Sequence, residues 1–208
     1  ISGTTGESAT LTSAEKQEIM EVAADHLAGS IPLVLGTGSN NTTEAVEKTS
    51  HAKQWGASGV LIVTPYYNKP TQAGLVAHFK EVAAATTLPV VLYNVPGRTA
   101  VNMLAVTTLE LARVKNIKAV KEASGNLDQA LDIIHHAPSG FVLFSGEDSL
   151  NLPLMAIGAK GTISVTANVA PTAMKAFNDA ALAGKWERAS ELHYGLLDLH
   201  RAMFFETN

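Results

Sequence analysis

The sequence contains no cysteine among its 208 residues, which excludes disulfide bonds and thiolate metal sites. Charged residues make up only 16% of the chain, and with a net charge of −4 and no basic stripe, electrostatics give no reason to expect nucleic acid. No apolar run approaches the length of a membrane span, and no charged-then-apolar leader opens the chain. We therefore expect a cytoplasmic protein that binds neither membranes nor nucleic acid.

Hydrophobic residues are plentiful, at 46% of the chain, and this is enough for a sizeable core. Short apolar runs end in loop residues seven times, at spacings of 19 to 33 positions by subtraction, and helix-period segments lie between them. This alternation of strand and helix is typical of a parallel α/β fold. The loops open near Gly3, Gly36, Thr64, Tyr93, Lys121, Ser145 and Ser164.

Six full strands are predicted, after a strand stub that ends at Gly3. They are residues 32–35, 59–63, 89–93, 117–121, 141–144 and 161–165. Such a repeat forms either an open doubly wound sheet or a closed barrel of eight units, typically about 250 residues long. The segment Gly36–Asn41 lacks the third glycine of a dinucleotide-binding turn, which favours the barrel.

The prediction is therefore a single domain over residues 1–208, a partial (β/α)8 TIM barrel truncated at both ends. About the first two strands and the C-terminal helices are expected to be absent. The predicted helices are 12–27, opened by a capping box, 41–55, one around 75–82, 104–114, one from 126, 150–157, 171–182 and 186–205.

Lys121 is the most unusual residue in a predicted strand. Side chains alternate along a strand, so Lys121 shares a face with Ile117 and Ala119 and points inward. Burial lowers the pKa of a lysine, and a neutral amine attacks a carbonyl to form a Schiff base. Taken alone, however, a lysine at the end of a strand is more often a solvated edge residue.

Other chemically useful side chains fall at the starts of the same loops. In a barrel these loops share one face, and active sites lie there. Tyr93 shares its strand face with Val91 and is expected to point inward, as Lys121 does. Each of these residues also has a plain structural interpretation, as a packed ring, a helix cap or a surface charge. The set is Thr4, Thr5, Tyr66, Tyr67, Tyr93, Arg98 and Lys121.

Five segments resemble motifs of the dihydrodipicolinate synthase family, within the N-acetylneuraminate lyase superfamily of Schiff-base aldolases. They are Gly-Thr-Thr-Gly-Glu-Ser at 3–8, Thr-Pro-Tyr-Tyr-Asn at 64–68, Tyr-Asn-Val-Pro-Gly-Arg-Thr at 93–99, Lys-Glu-Ala-Ser-Gly at 121–125 and the segment 161–168. The resemblance covers essentially the whole chain in order.

The resemblance implies that pyruvate and aspartate semialdehyde condense to 4-hydroxy-tetrahydrodipicolinate, on the diaminopimelate route to lysine. Lys121 would form the imine with pyruvate, so no metal or organic cofactor is implied. Tyr93 would shuttle protons through Thr5 and through Tyr67 of a neighbouring subunit. Backbone amides at Thr4 and Thr5 would hold the pyruvate carboxylate. The implied assembly is a homotetramer built as a dimer of dimers.

The resemblance also implies substrate-binding and regulatory residues. Arg98 would bind the carboxylate of aspartate semialdehyde, for which a guanidinium is well suited, while Ile163 and Gly146 would line the site. Ser13 and Lys16 stand where lysine-sensitive members carry histidines, so we expect weak or no inhibition by lysine. The implied effector site comprises Ser8, Ala9, Ser13, Lys16, Asn40, Glu44 and Tyr66.

Two alternatives remain open at this point. The chain could be another pyruvate-dependent aldolase of the superfamily, such as a 2-keto-3-deoxy sugar acid aldolase or N-acetylneuraminate lyase. It could also be an inactive fragment that acts only as an oligomerisation partner. A metal site is not expected, because the adjacent His135 and His136 do not share a helix face and the other histidines are scattered.

Overall fold

The computed structural model describes residues 1–206, and in that part of the chain five parallel strands form one sheet. The strands are β1 (Val34–Gly36), β2 (Gly59–Val63), β3 (Val90–Asn94), β4 (Ile117–Glu122) and β5 (Val142–Ser145). The helices are α1 (Ser13–Leu27), α2 (Thr42–His51), α3 (Gln72–Ala84), α4 (Pro96–Thr99), α5 (Ala105–Leu111), α6 (Leu127–His136), α7 (Asn151–Ala156), α8 (Pro171–Leu182) and α9 (Trp186–Ala202). The strands lie side by side in chain order, as the repeat of strand and helix predicts.

Local sequence signals account for how several helices begin. Thr12 and Glu15 form the predicted capping box: the Glu15 N–H donates to the Thr12 hydroxyl over 3.3 Å, and the Thr12 N–H donates to the Glu15 carboxylate over 2.7 Å. The Asn41 side chain caps α2 by accepting from the Glu44 N–H. Pro171 opens α8 at its first position, where a missing N–H costs no helical hydrogen bond.

The core lies where the sheet meets the helices. Ile62 of β2 and Leu92 of β3 are fully buried together with Phe79 of α3 and Ile133 of α6. The unbroken apolar run of β2 is expected of a parallel strand covered on both faces. No helix within residues 1–206 is long and apolar enough to cross a membrane.

Several predicted helix ends were wrong by a few residues. The helix predicted over 41–55 ends at His51, and the one over 104–114 spans only Ala105–Leu111. The last helix ends at Ala202 rather than at residue 205. The helix predicted from 150 starts as α7 at Asn151, after a 3-10 turn over Asp148–Leu150. Turns replace the last residues of the first three of these predicted helices, as is common at frayed helix ends.

The sixth predicted strand, 161–165, was also wrong as a strand. It forms a single bridge to β5: the Ser145 N–H donates to the Gly161 carbonyl over 2.9 Å, and the Ile163 N–H donates to the Ser145 carbonyl over 2.8 Å. Beyond Ile163 the backbone leaves the sheet, because the N–H groups of Val165 and Thr166 donate to the Asp148 carboxylate. A 3-10 turn over Thr166–Asn168 follows.

The first edge of the sheet has a partner at the start of the chain. The α-amino group of Ile1 donates to the Val34 carbonyl over 2.8 Å, and the Gly36 N–H donates to the Ile1 carbonyl over 2.9 Å. This is the hydrogen-bond pattern of a parallel neighbour to β1. The predicted strand stub before Gly3 therefore lies in the expected place.

The sheet is curled rather than flat. Ile1 lies four strand positions from β4, which would be roughly 19 Å in a flat sheet with a spacing of about 4.8 Å. Charges that far apart are largely screened by salt. Yet the pKa of the Ile1 α-amino group is lowered first by burial and then by the charge of Lys121. The Ile1 amino group and Lys121 are therefore closer together than a flat sheet would place them.

Candidate active site

Lys121 and Tyr93 lie side by side at the carboxyl ends of two neighbouring strands. They are direct partners in the β3–β4 register, so parallel pairing brings their side chains to the same height on the same face. The Lys121 Nζ lies 4.1 Å from the centroid of the Tyr93 ring. Both residues are 8% exposed. The prediction that an amine and a phenol converge on one face of the sheet is confirmed.

Burial makes the Lys121 amine unusually easy to deprotonate. Removal from water is the largest effect on its pKa, and Arg98 lowers it further, whereas Asp148 and Glu147 raise it. The net result is a pKa of about 8. Roughly a tenth of the amine is therefore neutral, and nucleophilic, at pH 7, far more than for a lysine with an ordinary pKa.

Tyr93 is shifted in the opposite direction for the same reason. Burial disfavours the phenolate and raises the pKa of Tyr93 to about 12, although the charge of Arg98 opposes the shift. The phenol is therefore protonated near neutral pH and can donate a proton or a hydrogen bond. Because Arg98 acts on both Tyr93 and Lys121, its guanidinium in α4 is within electrostatic reach of the pair.

The other predicted site residues are less closely joined to this pair. Thr4 and Thr5 lie in an exposed 3-10 turn directly after the edge residue Ile1. Tyr67 is 88% exposed and has a φ of 74°, which a tyrosine rarely adopts. Within residues 1–206, the Tyr93 hydroxyl makes no hydrogen bond to Thr5 or Tyr67. The relay Tyr93–Thr5–Tyr67 stays a prediction.

The comparisons with known proteins agree with this geometry. The family model described as the dihydrodipicolinate synthetase family matches residues 1–208. The chain belongs to this family. It is 53% identical over 206 residues to the 4-hydroxy-tetrahydrodipicolinate synthase of Geotalea uraniireducens (strain Rf4), an alignment that covers 99% of this chain and 71% of that protein.

Solved structures of dihydrodipicolinate synthases superpose on the whole chain. The enzyme from Aquifex aeolicus matches with a TM-score of 0.97 and 49% identity, covering 100% of this chain and 71% of that one. The enzyme from Acinetobacter baumannii, solved in complex with pyruvate, matches with a TM-score of 0.96 and 42% identity over the same shares.

In this dihydrodipicolinate synthetase family member, the residues that follow Tyr93 and Lys121 in their strands belong to a buried polar network. The Glu122 carboxylate accepts from the Asn94 amide over 3.1 Å, from the Ser124 N–H over 2.7 Å and from the Gln129 amide over 3.2 Å. Asn94 in turn accepts from the Met103 N–H over 2.9 Å. The network ties β3 and β4 to α6 and to the segment after Arg98, and so holds the two reactive side chains in register.

The sequence analysis missed this network, although the signal was present. Asn94 and Glu122 directly follow Tyr93 and Lys121, and a polar residue at the end of an otherwise apolar buried strand needs a partner. Two such residues on paired strands point to each other. Asp148, which is 4% exposed, was likewise not singled out.

The predicted effector residues are only partly brought together. Glu44 accepts from the Ser39 hydroxyl over 2.6 Å and pairs with Lys48 over 2.5 Å. The pKa of Lys16 is lowered first by burial and then by Lys48, while Glu44 opposes the shift, so the three charges lie close together. Asn40 donates to the Tyr66 carbonyl over 3.1 Å. Ser8, Ala9 and Ser13 lie in and after the first turn and stay predictions.

Residues 1–206 contain no group of three or more histidine, cysteine, aspartate or glutamate side chains arranged to hold a metal ion. His135 and His136 lie in the last turn of α6, and His136 bonds to the backbone carbonyl of Asp132.

Gly146 determines where the Lys121 side chain runs. A Cβ atom at Gly146 would lie 2.8 Å from both Cγ and Cε of Lys121 and 3.0 Å from the Ala123 Cβ. We expect Gly146→Ala to fold but to displace the lysine stem, lowering the rate of imine formation roughly tenfold or more, because misplacement by about 1 Å is costly in catalysis. Peptide mass spectrometry after borohydride reduction measures this rate.

Gly195→Ala is the matched control for Gly146→Ala. A Cβ atom at Gly195 meets nothing within 4 Å, and the residue lies within α9. Imine formation by Gly195→Ala should equal that of the unmodified chain. Equal rates for Gly146→Ala and Gly195→Ala would show that the glycine does not position Lys121.

Proposed function

We propose that the chain carries the active site of a 4-hydroxy-tetrahydrodipicolinate synthase, which condenses pyruvate with L-aspartate 4-semialdehyde. The observation that carries the proposal is a lysine amine with a pKa of about 8, buried against a protonated tyrosine at the carboxyl edge of a parallel sheet. The family membership and the name of the 53% identical relative support the same reaction. For this reaction we expect a soluble biosynthetic enzyme that acts in the cytoplasm.

The chemistry follows from the groups at the site. The neutral Lys121 amine adds to the ketone carbon of pyruvate, water leaves, and a protonated imine remains. The iminium makes the neighbouring methyl group acidic, and loss of a proton gives an enamine. The enamine carbon attacks the aldehyde of aspartate semialdehyde. The amino group of that substrate then attacks the imine carbon and releases Lys121 as the ring closes.

The charges of the site match the substrates. Both substrates carry carboxylates, and the Arg98 guanidinium on α4 acts electrostatically on both Tyr93 and Lys121. Tyr93 moves protons to and from the reacting atoms, while Thr4, Thr5, Gly146 and Ile163 line the pocket. No metal or organic cofactor is required, because the lysine imine itself withdraws the electron pair.

We propose that the open sheet is the central part of one eight-stranded barrel domain. Three observations support this: the pairing of Ile1 beside β1, the bridge of Thr162 beside β5, and the curl that brings Ile1 towards Lys121. The matched solved chains are longer and contain the whole of this one.

We also propose that the working enzyme is an oligomer, as a dimer of dimers. Tyr67 is held outward by local hydrogen bonds: Asn68 donates to the Asn40 carbonyl over 3.0 Å, and Asn40 donates to the Tyr66 carbonyl. A positive φ at Tyr67 costs roughly 1 kcal/mol or more, and such strain is typical of functional sites. Its exposed ring therefore suits insertion into a neighbouring subunit.

The test is to incubate the chain with pyruvate, reduce with borohydride and locate the adduct by peptide mass spectrometry. A pyruvyl-derived mass gain on the peptide that contains Lys121 is expected. Activity with aspartate semialdehyde, but not with sugar aldehydes, separates the synthase from the other aldolases of the superfamily. A folded chain that gives no adduct would contradict the proposal.

The implied effector site leads to an expectation about lysine. Glu44 is already neutralised by Lys48, and Lys16 adds a further positive charge nearby, so a cationic effector meets repulsion. We expect a lysine titration to give no half-inhibition below the millimolar range. In a Lys16→Ala, Lys48→Ala double variant the inhibition should become stronger, and strong inhibition of the unmodified chain would contradict this electrostatic explanation.

A further inference from the structure

Asp148 is a buried carboxylate with no role in the reaction described above. It follows β5 and opens the 3-10 turn Asp148–Leu150. One carboxylate oxygen, Oδ2, accepts from the backbone N–H groups of Val165 over 2.9 Å and Thr166 over 2.8 Å. The other, Oδ1, accepts from the Asn151 amide over 2.9 Å. Every one of these donors lies outside the five strands.

These bonds fix the path of the segment 163–166. The Ile163 N–H is held by the Ser145 carbonyl at the end of β5, and two residues later the chain is anchored on Asp148. Thr166 also shares a hydrogen bond of 2.7 Å with His200 Nδ1, which links the segment to α9. Asp148 thus anchors this segment where it leaves β5, at the edge of the sheet that carries Lys121.

Asp148 also carries charge into the site. Burial raises the pKa of Asp148, but hydrogen bonds from the Thr166 N–H, Ser164 and Asn151 outweigh burial and hold the pKa below its usual range. The carboxylate is therefore ionised. After burial itself, Asp148 is the largest influence on the pKa of Lys121, and it favours the charged amine.

Several charged groups act on Lys121 and Asp148. The pKa of Lys121 responds to the charges of Asp148, Arg98 and Glu147, its own charge lowers the pKa of the Ile1 α-amino group, and its Nζ lies 4.1 Å from the centroid of the Tyr93 ring. Asp148 is faced by His200 and His193 of α9, the pKa values of both of which are lowered, first by burial. The histidines are therefore mostly neutral, and Asp148 is the main buried anion acting on Lys121.

We propose that Asp148 is a positioning residue for the condensation, which holds the segment 163–166 in place and supplies the buried countercharge of the Lys121 nitrogen. The nitrogen is cationic both as the free ammonium and as the iminium with pyruvate, so one carboxylate balances both states. The positioning half of this inference rests on the proposed function. The countercharge half concerns Lys121 in the free protein and stands without it.

The first test is Asp148→Asn, with Asp179→Asn as the matched control. Asp179 lies on α8, where its largely exposed side chain pairs with Lys175. Among residues 1–206, Asn151 Oδ1 has no hydrogen-bond partner, so after a flip of the Asn151 amide this oxygen can accept from the amide that the substitution introduces. Acetylation of Lys121 with acetic anhydride across a pH series, quantified by peptide mass spectrometry, reports where the amine loses its proton.

Removing an anion disfavours the ammonium, so the acetylation midpoint of Lys121 should move to lower pH. We expect a fall of roughly half a pH unit or more in Asp148→Asn and none in Asp179→Asn. Because acetic anhydride needs no pyruvate site, this result is independent of whether the chain forms the imine. A midpoint that does not move overturns the countercharge role.

Ser164→Ala tests the positioning role by itself, and it does so whether or not circular dichroism shows that Asp148→Asn folds. It keeps the carboxylate charge but removes two hydrogen bonds, the one from Ser164 to Asp148 and the one that the Ser164 hydroxyl accepts from the Ala167 N–H over 3.0 Å. The acetylation midpoint should stay unchanged, while borohydride trapping of pyruvate should slow roughly fivefold or more, as expected for the loss of one or two hydrogen bonds. Trapping at the unmodified rate overturns the positioning role. Absence of trapping in the unmodified chain contradicts the proposed function instead.

Discussion

Lys121→Met should abolish the covalent adduct with pyruvate and lower condensation activity roughly 10³-fold or more, since the covalent route is lost altogether. Methionine has a similar length and no charge to bury, but it leaves the buried Asp148 carboxylate without its cationic neighbour. The two effects oppose each other, so thermal unfolding should show a midpoint within roughly a few degrees of that of the unmodified chain. Borohydride reduction followed by mass spectrometry should find no pyruvyl adduct.

Lys118→Met is the matched control on the same strand. Lys118 lies three residues earlier in β4 and is exposed, whereas Lys121 is buried. Its substitution should leave both the adduct and the activity unchanged. An adduct that persists in Lys121→Met, or is lost in Lys118→Met, would assign the Schiff base to another lysine.

The pairing of Lys121 with Tyr93 could be predicted because it depends on local rules. Strand alternation gives each residue its face, and the order of parallel strands makes β3 and β4 neighbours. A lysine and a tyrosine at the carboxyl ends of neighbouring strands must then meet. The capping box at Thr12 was predictable for the same reason, because both partners lie three residues apart.

Contacts between residues distant in sequence were the ones that could not be predicted. The segment 161–165 has the composition of a strand, and only the carboxylate of Asp148 takes its amides out of the sheet. In the Glu122 network, the pairing with Asn94 was open to prediction from the polar ends of two neighbouring strands, but the part played by Gln129 of α6 was not. The neighbouring subunit proposed for Tyr67 rests on the family resemblance alone, because an exposed side chain does not specify a surface that would cover it.

Tyr93→Phe should lower kcat roughly 10²-fold or more, the usual contribution of a positioned proton donor, and leave the KM for pyruvate little changed. Phenylalanine keeps the ring that lies 4.1 Å from the Lys121 Nζ and removes only the hydroxyl. Since the lysine is untouched, borohydride should still trap pyruvate on Lys121. The substitution thus separates imine formation from the proton transfers that follow it.

The control for Tyr93→Phe in steady-state kinetics is a tyrosine whose hydroxyl takes no part in proton transfer. Tyr194 on α9 is 65% exposed, so Tyr194→Phe should leave kcat unchanged. A kcat of Tyr93→Phe within threefold of the unmodified value would mean that another group moves the protons. The buried phenol, whose pKa is raised to about 12, would then only pack against the amine. A loss of kcat with the adduct retained assigns the proton transfers to the Tyr93 hydroxyl, because nothing else at the site has been removed.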